Sequence, residues 1–265
     1  MRQISLARVI RSEWIKLRSL RSTWTMLLSI VGALVVFGAL AAAVSTGSVS
    51  APDGGGPASF DSNDPLATVL TGAEFGILLI GVMRCLAGAR EYASRMITAT
   101  VAAVPRRWQV AVAKAVTLTA VVLPSALVAS FAAFGVGMSV LSANGSKTVS
   151  LADGDVLASV VGMAGYMTAI ALLGLAIGIL LRSVASSIAV LVAGIMILPG
   201  LASALLSDSW DTVLKYLPEQ AAASFTTVGS SSQATLSGTE GATVLAGWVV
   251  IALIGAMVSI TRRDV

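Results

Sequence analysis

The chain has 265 residues, 56% of them hydrophobic and 11% charged, with a formal charge of +4 and a mean hydropathy of +0.91. Charged residues make up about 25% of a soluble domain, so a soluble globular fold is excluded. Histidine is absent and Cys85 is the only cysteine, which removes an intrachain disulfide, thiol–metal clusters and histidine-based catalysis.

Residues 1–23 precede the first long apolar run, and 4–21 read as an amphipathic helix. At about 100° per residue, Leu6, Val9, Ile10, Leu17 and Leu20 share one face, opposite Arg8, Arg11, Ser12, Lys16, Arg18 and Ser19. Such a helix lies at the headgroup level on the cytoplasmic surface and offers its cations to membrane lipids. Glu13 projects from the middle of the apolar stripe, where a bare carboxylate is costly. A pairing with a cation of the inner loop or with Arg182 is expected for it.

Residues 24–265 form the membrane domain. Crossing a bilayer takes about 20 apolar residues. Six stretches meet that need: Trp24–Val44, Leu66–Met83, Val110–Val136, Val156–Leu181, Val184–Leu206 and Ala242–Ile260. All seventeen Lys and Arg residues except Lys147 and Lys215 fall on one side of these spans. The positive-inside rule makes that side the cytoplasm, with both termini there, and the expected location is the cell membrane. Of the thirteen acids, all but Glu13, Glu74, Glu91 and Asp264 fall in the opposite loops. This separation by membrane face explains the basic pI without a nucleic-acid partner.

Along the chain, residues 45–65 read as a Gly/Ser/Pro-rich outer loop. Glu74 is the one acid within a span and is expected to face the bundle interior or a cavity, either touching substrate or bonding a neighbouring helix. Residues 84–109 are the largest inner loop. Pro124 and Pro199 predict kinks in the third and fifth spans. Gly174 and Gly178 form a small-xxx-small pair that permits close helix approach. Arg182 and Ser183 alone separate spans four and five. In the outer segment 207–241, Trp210–Leu217 has the spacing of a short interfacial or re-entrant helix. A nucleotide-binding P-loop is absent: Gly145-Ser146-Lys147-Thr148 matches only the tail of the motif, with Val140 where its first glycine belongs.

The inner loop reads Gly88-Ala89-Arg90-Glu91-Tyr92-Ala93-Ser94-Arg95-Met96-Ile97-Thr98, and then Val104-Pro105-Arg106-Arg107. With Ser12-Glu13-Trp14-Ile15-Lys16-Leu17-Arg18, Glu74-Phe75-Gly76, Leu198-Pro199-Gly200 and Leu217-Pro218, it resembles the membrane subunits of ABC-2 type exporters in the family's order. Members often carry Gly and then Arg where this chain has Arg95 and Thr98, so the basic residue comes about one turn earlier.

The resemblance implies an all-α membrane protein: six spans after a cytoplasmic interfacial helix, with a short outer helix between spans five and six. It implies a permease subunit that pairs with a second membrane subunit, identical or different, and with cytoplasmic ABC ATPase subunits. The loop after span two would be a coupling helix, with Arg90, Glu91, Tyr92 and Arg95 at the ATPase-docking surface. The chain itself would not be an enzyme and would hold no cofactor; ATP and Mg would bind the partner. The alternative is a secondary transporter or channel driven by an ion gradient, for which Glu74 is the only midplane candidate. An intramembrane enzyme finds no catalytic constellation in the sequence.

Overall fold

The computed structural model describes residues 5–19, 21–49, 64–93, 107–205, 210–227 and 236–262. The expected coupling segment beyond Ala93, Arg95 included, lies outside them. The described residues are all-helical: α1 (Leu6–Ser19), α2 (Arg21–Ser45), α3 (Pro65–Leu70), α4 (Gly72–Ala93), α5 (Trp108–Ala143) and α6 (Val156–Leu181). The chain continues through α7 (Val184–Val192), a π-helical turn (Ala193–Ile197), α8 (Leu198–Leu205), α9 (Asp211–Leu214), α10 (Pro218–Thr226) and α11 (Gly238–Arg262). Among the described residues, six stretches are long and apolar enough to cross a membrane: α2, α3 with α4, α5, α6, Val184–Ala202 and α11. This is the architecture of a multi-pass membrane protein.

α6 is the central post. Of its most apolar window 67% is buried, against 22% for the fifth and sixth candidate spans, so those two lie at the periphery. It packs on α4, α5, α7, α10 and α11. Glycine sets how close α4 comes. A Cβ at Gly174 would lie 2.6 Å from the Gly81 carbonyl oxygen, and one at Gly178 would lie 2.6 Å from that of Cys85. From the other side, a Cβ at Gly88 would lie 2.8 Å from the Leu175 carbonyl. The two backbones therefore touch along a seam that no larger residue fits. Leu34, Ile80, Met167, Ile170 and Leu191 fill the core around it.

Two element boundaries differ from the sequence expectation. The second span continues as helix from Met83 to Ala93, because no breaker intervenes and Cys85, Gly88 and Ala89 keep packing inward. Arg90, Glu91 and Tyr92 are thus the last turn of α4. Pro218, which directly follows the outer helix expected over Trp210–Leu217, begins a further helix: it occupies the first turn of α10 after an extended Leu217, where its missing N–H is harmless. Phe225 of α10 packs on α6 at Gly162, and Trp248 of α11 donates its indole N–H to the Tyr216 carbonyl at 2.8 Å.

The two prolines act differently. α5 passes through Pro124 as one helix, and Ser125 Oγ donates to the Val121 carbonyl at 2.9 Å and the Val122 carbonyl at 2.8 Å. Before Pro199 the chain widens into the π turn, where the Leu198 N–H reaches back to the Ala193 carbonyl. A proline ring crowds the carbonyl four residues earlier, and a π turn is a common way to relieve that clash.

Candidate functional site

The basic ends of the helices meet around Lys114. α5 begins at Trp108, and its first turns bury Val110 and Ala113. α1 lies against them through Val9, flanked by Ile10. One helical turn beyond Val9 comes Glu13, and one turn beyond Val110 comes Lys114, so the apolar contact sets the two charges face to face. Lys114 Nζ donates to Glu13 Oε2 at 2.9 Å and also to Glu91 Oε1 of α4. Lys16 Nζ donates to the other Glu13 oxygen at 2.6 Å. Glu13 is 4% exposed. Burial pushes its carboxyl up, but Lys114 and Lys16 outweigh that and hold it below the ordinary carboxylate value.

The neighbouring residue, Tyr92, faces the other way. The Arg182 guanidinium lies over its ring, 4.7 Å from the centroid, and Arg182 Nη2 donates to the Ser259 carbonyl of α11 at 3.2 Å. Arg182 closes the α6–α7 hairpin in the left-handed region, φ 55°, a conformation that a non-glycine residue adopts at a cost of about 1 kcal/mol. Its side-chain contacts offset that cost. Directly, Glu91 and Tyr92 tie the end of α4 to α5 and the α6–α7 turn, and through Lys114 and Arg182 to α1 and α11.

The expectation for Glu13 named the inner loop or Arg182. The structure gives Lys114, at the foot of the third span, with Lys16 from α1 itself. Arg90 is exposed beside this junction. Sequence reasoning missed Arg84, which it counted only among the basic residues. Arg84 is 5% exposed within α4. Its signal was present in the sequence: a cation among apolar residues in a segment that can continue as helix.

Glu74 stands at the opposite end of the bundle. Ala73, Ile77 and Ile80 take the inward face of α4, so Glu74 turns outward and this chain does not enclose it. Beside it Phe75 stacks on Phe37 of α2, with centroids 4.1 Å apart. Glu219 of α10 and Tyr166 of α6 are close enough to couple to it electrostatically. Glu219 keeps a solvent-facing side chain, yet the surrounding protein, and then the charge of Glu74, raise its carboxyl above the ordinary value.

The described residues hold no cluster of three or more His, Cys, Asp or Glu side chains that could bind a metal. The Lys114 junction is a set of saturated ion pairs, suited to fastening helices rather than to proton transfer or attack. No known family pattern and no curated protein matches this chain.

Proposed function

We propose that the chain is the permease subunit of an ATP-driven exporter of the ABC-2 type, set in the cell membrane with both termini in the cytoplasm. α1 would lie as an amphipathic helix in the cytoplasmic interface, with Arg8, Arg11 and Arg18 exposed toward lipid headgroups and solvent. α9 and α10 would form the short outer element between spans five and six. The observation that carries the reading is the anchoring of the end of α4. Through Lys114 and Arg182, Glu91 and Tyr92 link it to α5, α1, the α6–α7 turn and α11 immediately before the segment 94–106. A push delivered there by a separate ATPase would reach the whole bundle through one helix. Arg90, Glu91, Tyr92 and Arg95 are the proposed docking residues, and a second membrane subunit would complete the path.

The test is copurification of the tagged chain from its native membrane, with identification of a bound P-loop ATPase. Charge reversal of Glu91 and Arg95 together is expected to weaken that assembly or to uncouple hydrolysis from transport. Full assembly with coupled turnover in the double variant would refute the docking assignment. The Glu74–Tyr166–Glu219 group favours one second reading, an ion-gradient-driven carrier. Uncoupler-sensitive transport without any ATPase partner would select it.

A further inference from the structure

Beside the Lys114 junction an open cleft of about 780 Å³ lies among α1, α2, α4, α5 and α6. That volume falls in the range of pockets that bury small ligands, roughly 300–1,000 Å³. Met26, Met83, Leu86, Leu118 and Leu175 give it apolar walls. The cations Lys16, Arg84, Arg90 and Lys114 outnumber its two carboxylates, Glu13 and Glu91.

Arg84 is the unusual member. It is 95% buried by its 5% exposure, and its Nε and Nη2 have no hydrogen-bond partner among the described residues. Both carboxylates of the cleft are engaged by Lys114, and Glu13 by Lys16 as well. A guanidinium stays ionised at any physiological pH. Buried cations are normally paired, and an open donor in such a place calls for a missing acceptor. A planar guanidinium with free N–H groups matches a phosphate oxyanion. The apolar walls beside it match an acyl chain.

We propose that this cleft binds a phosphate-bearing anion on Arg84, in the form of an acidic phospholipid whose chain lies along Met26, Met83 and Leu118. The inference does not depend on the exporter reading. Free phosphate shares the head-group chemistry, and the experiment separates the two sources.

The purified full chain in detergent is titrated with phosphatidylglycerol, phosphatidylcholine or inorganic phosphate, and bound ligand is read by native mass spectrometry. Phosphatidylglycerol is expected to bind in preference to phosphatidylcholine, and Arg84→Gln to weaken it about tenfold, the loss of a charge-assisted bond. Saturable inorganic phosphate binding that Arg84→Gln abolishes, without lipid preference, would assign the site to free phosphate. Arg84→Lys keeps the charge and is expected to retain part of the binding. Without added ligand, Arg84→Met is expected to melt no lower than the parent, since it removes an uncompensated buried charge. Equal phosphatidylglycerol binding in Arg84→Gln and the parent, no binding of either anion, or a lower melting temperature for Arg84→Met overturns the proposal.

Discussion

Replacing Lys114 with Met would leave Glu13 and Glu91 without the ammonium they share. Removing one partner of a buried ion pair costs about 3 kcal/mol, because the other charge stays buried. Lys114→Met is therefore expected to melt well below the parent in detergent, and adding Glu13→Gln and Glu91→Gln to recover much of the loss. A pH prediction follows from Glu13. Its native carboxyl is held low, so the unfolded chain takes up the proton first. The stabilisation is complete above about pH 4.3, the ordinary glutamate value, and fades as pH falls through the depressed native one. Melting temperature against pH is expected to drop on that acid limb in the parent and to flatten in Glu13→Gln. The need of Glu13 for a partner was legible in its place on an apolar stripe. The partner was not, because Lys114 lies 101 residues away and only packing brings Val9 onto Val110.

At the scale of elements, the α4–α6 seam is the most sensitive contact. A valine at Gly178 would drive its side chain into the Cys85 carbonyl, and backbone cannot swing aside as a side chain can. Overpacking of this kind costs about 1–3 kcal/mol. Gly178→Val is expected to melt lower by that amount, while Gly194→Val, in open space within the π turn, is expected to change stability far less. The Gly174–Gly178 spacing announced a close approach but not the helix it meets. That pairing depends on Gly81 and Gly88 facing it from the second span. Pro199 announced a disturbance in the fifth span. Its form, a π turn rather than a break, depends on how the carbonyls before it find other donors. The continuation of α4 to Ala93 was hidden by its charges, since Arg84 and Arg90 read as the end of a span when only hydropathy is weighed.

At the scale of the molecule, six long apolar helices follow from composition and length alone, and the structure places each of them. Orientation rests on the charge asymmetry and can be measured. Cys85 is buried and donates its thiol to the Ser187 carbonyl at 3.5 Å, so Cys85→Ala gives a background for single cysteines at modest cost. In intact cells a membrane-impermeant maleimide is expected to label Ser48→Cys and Asn144→Cys. Ser19→Cys and Arg262→Cys are expected to react only after permeabilisation. The opposite pattern would invert the topology and remove the proposed ATPase-facing role from the basic end. The Glu74 surface was not legible as an outward face, because hydropathy marks a polar residue in a span without saying which neighbours claim the inward positions.

The Lys114 junction also sets an order for biogenesis. Glu13 is synthesised 101 residues before the lysine that neutralises it. At translation rates of roughly 5–20 residues per second, the N-terminal helix waits on the order of 5–20 s with its carboxylate served by Lys16 alone. Only when the foot of α5 has emerged can that helix lock down. The joint thus closes late, as a latch that registers arrival of the third span, and a chain that misplaces α5 would display an undocked, basic N-terminal helix to the quality-control machinery of the cell.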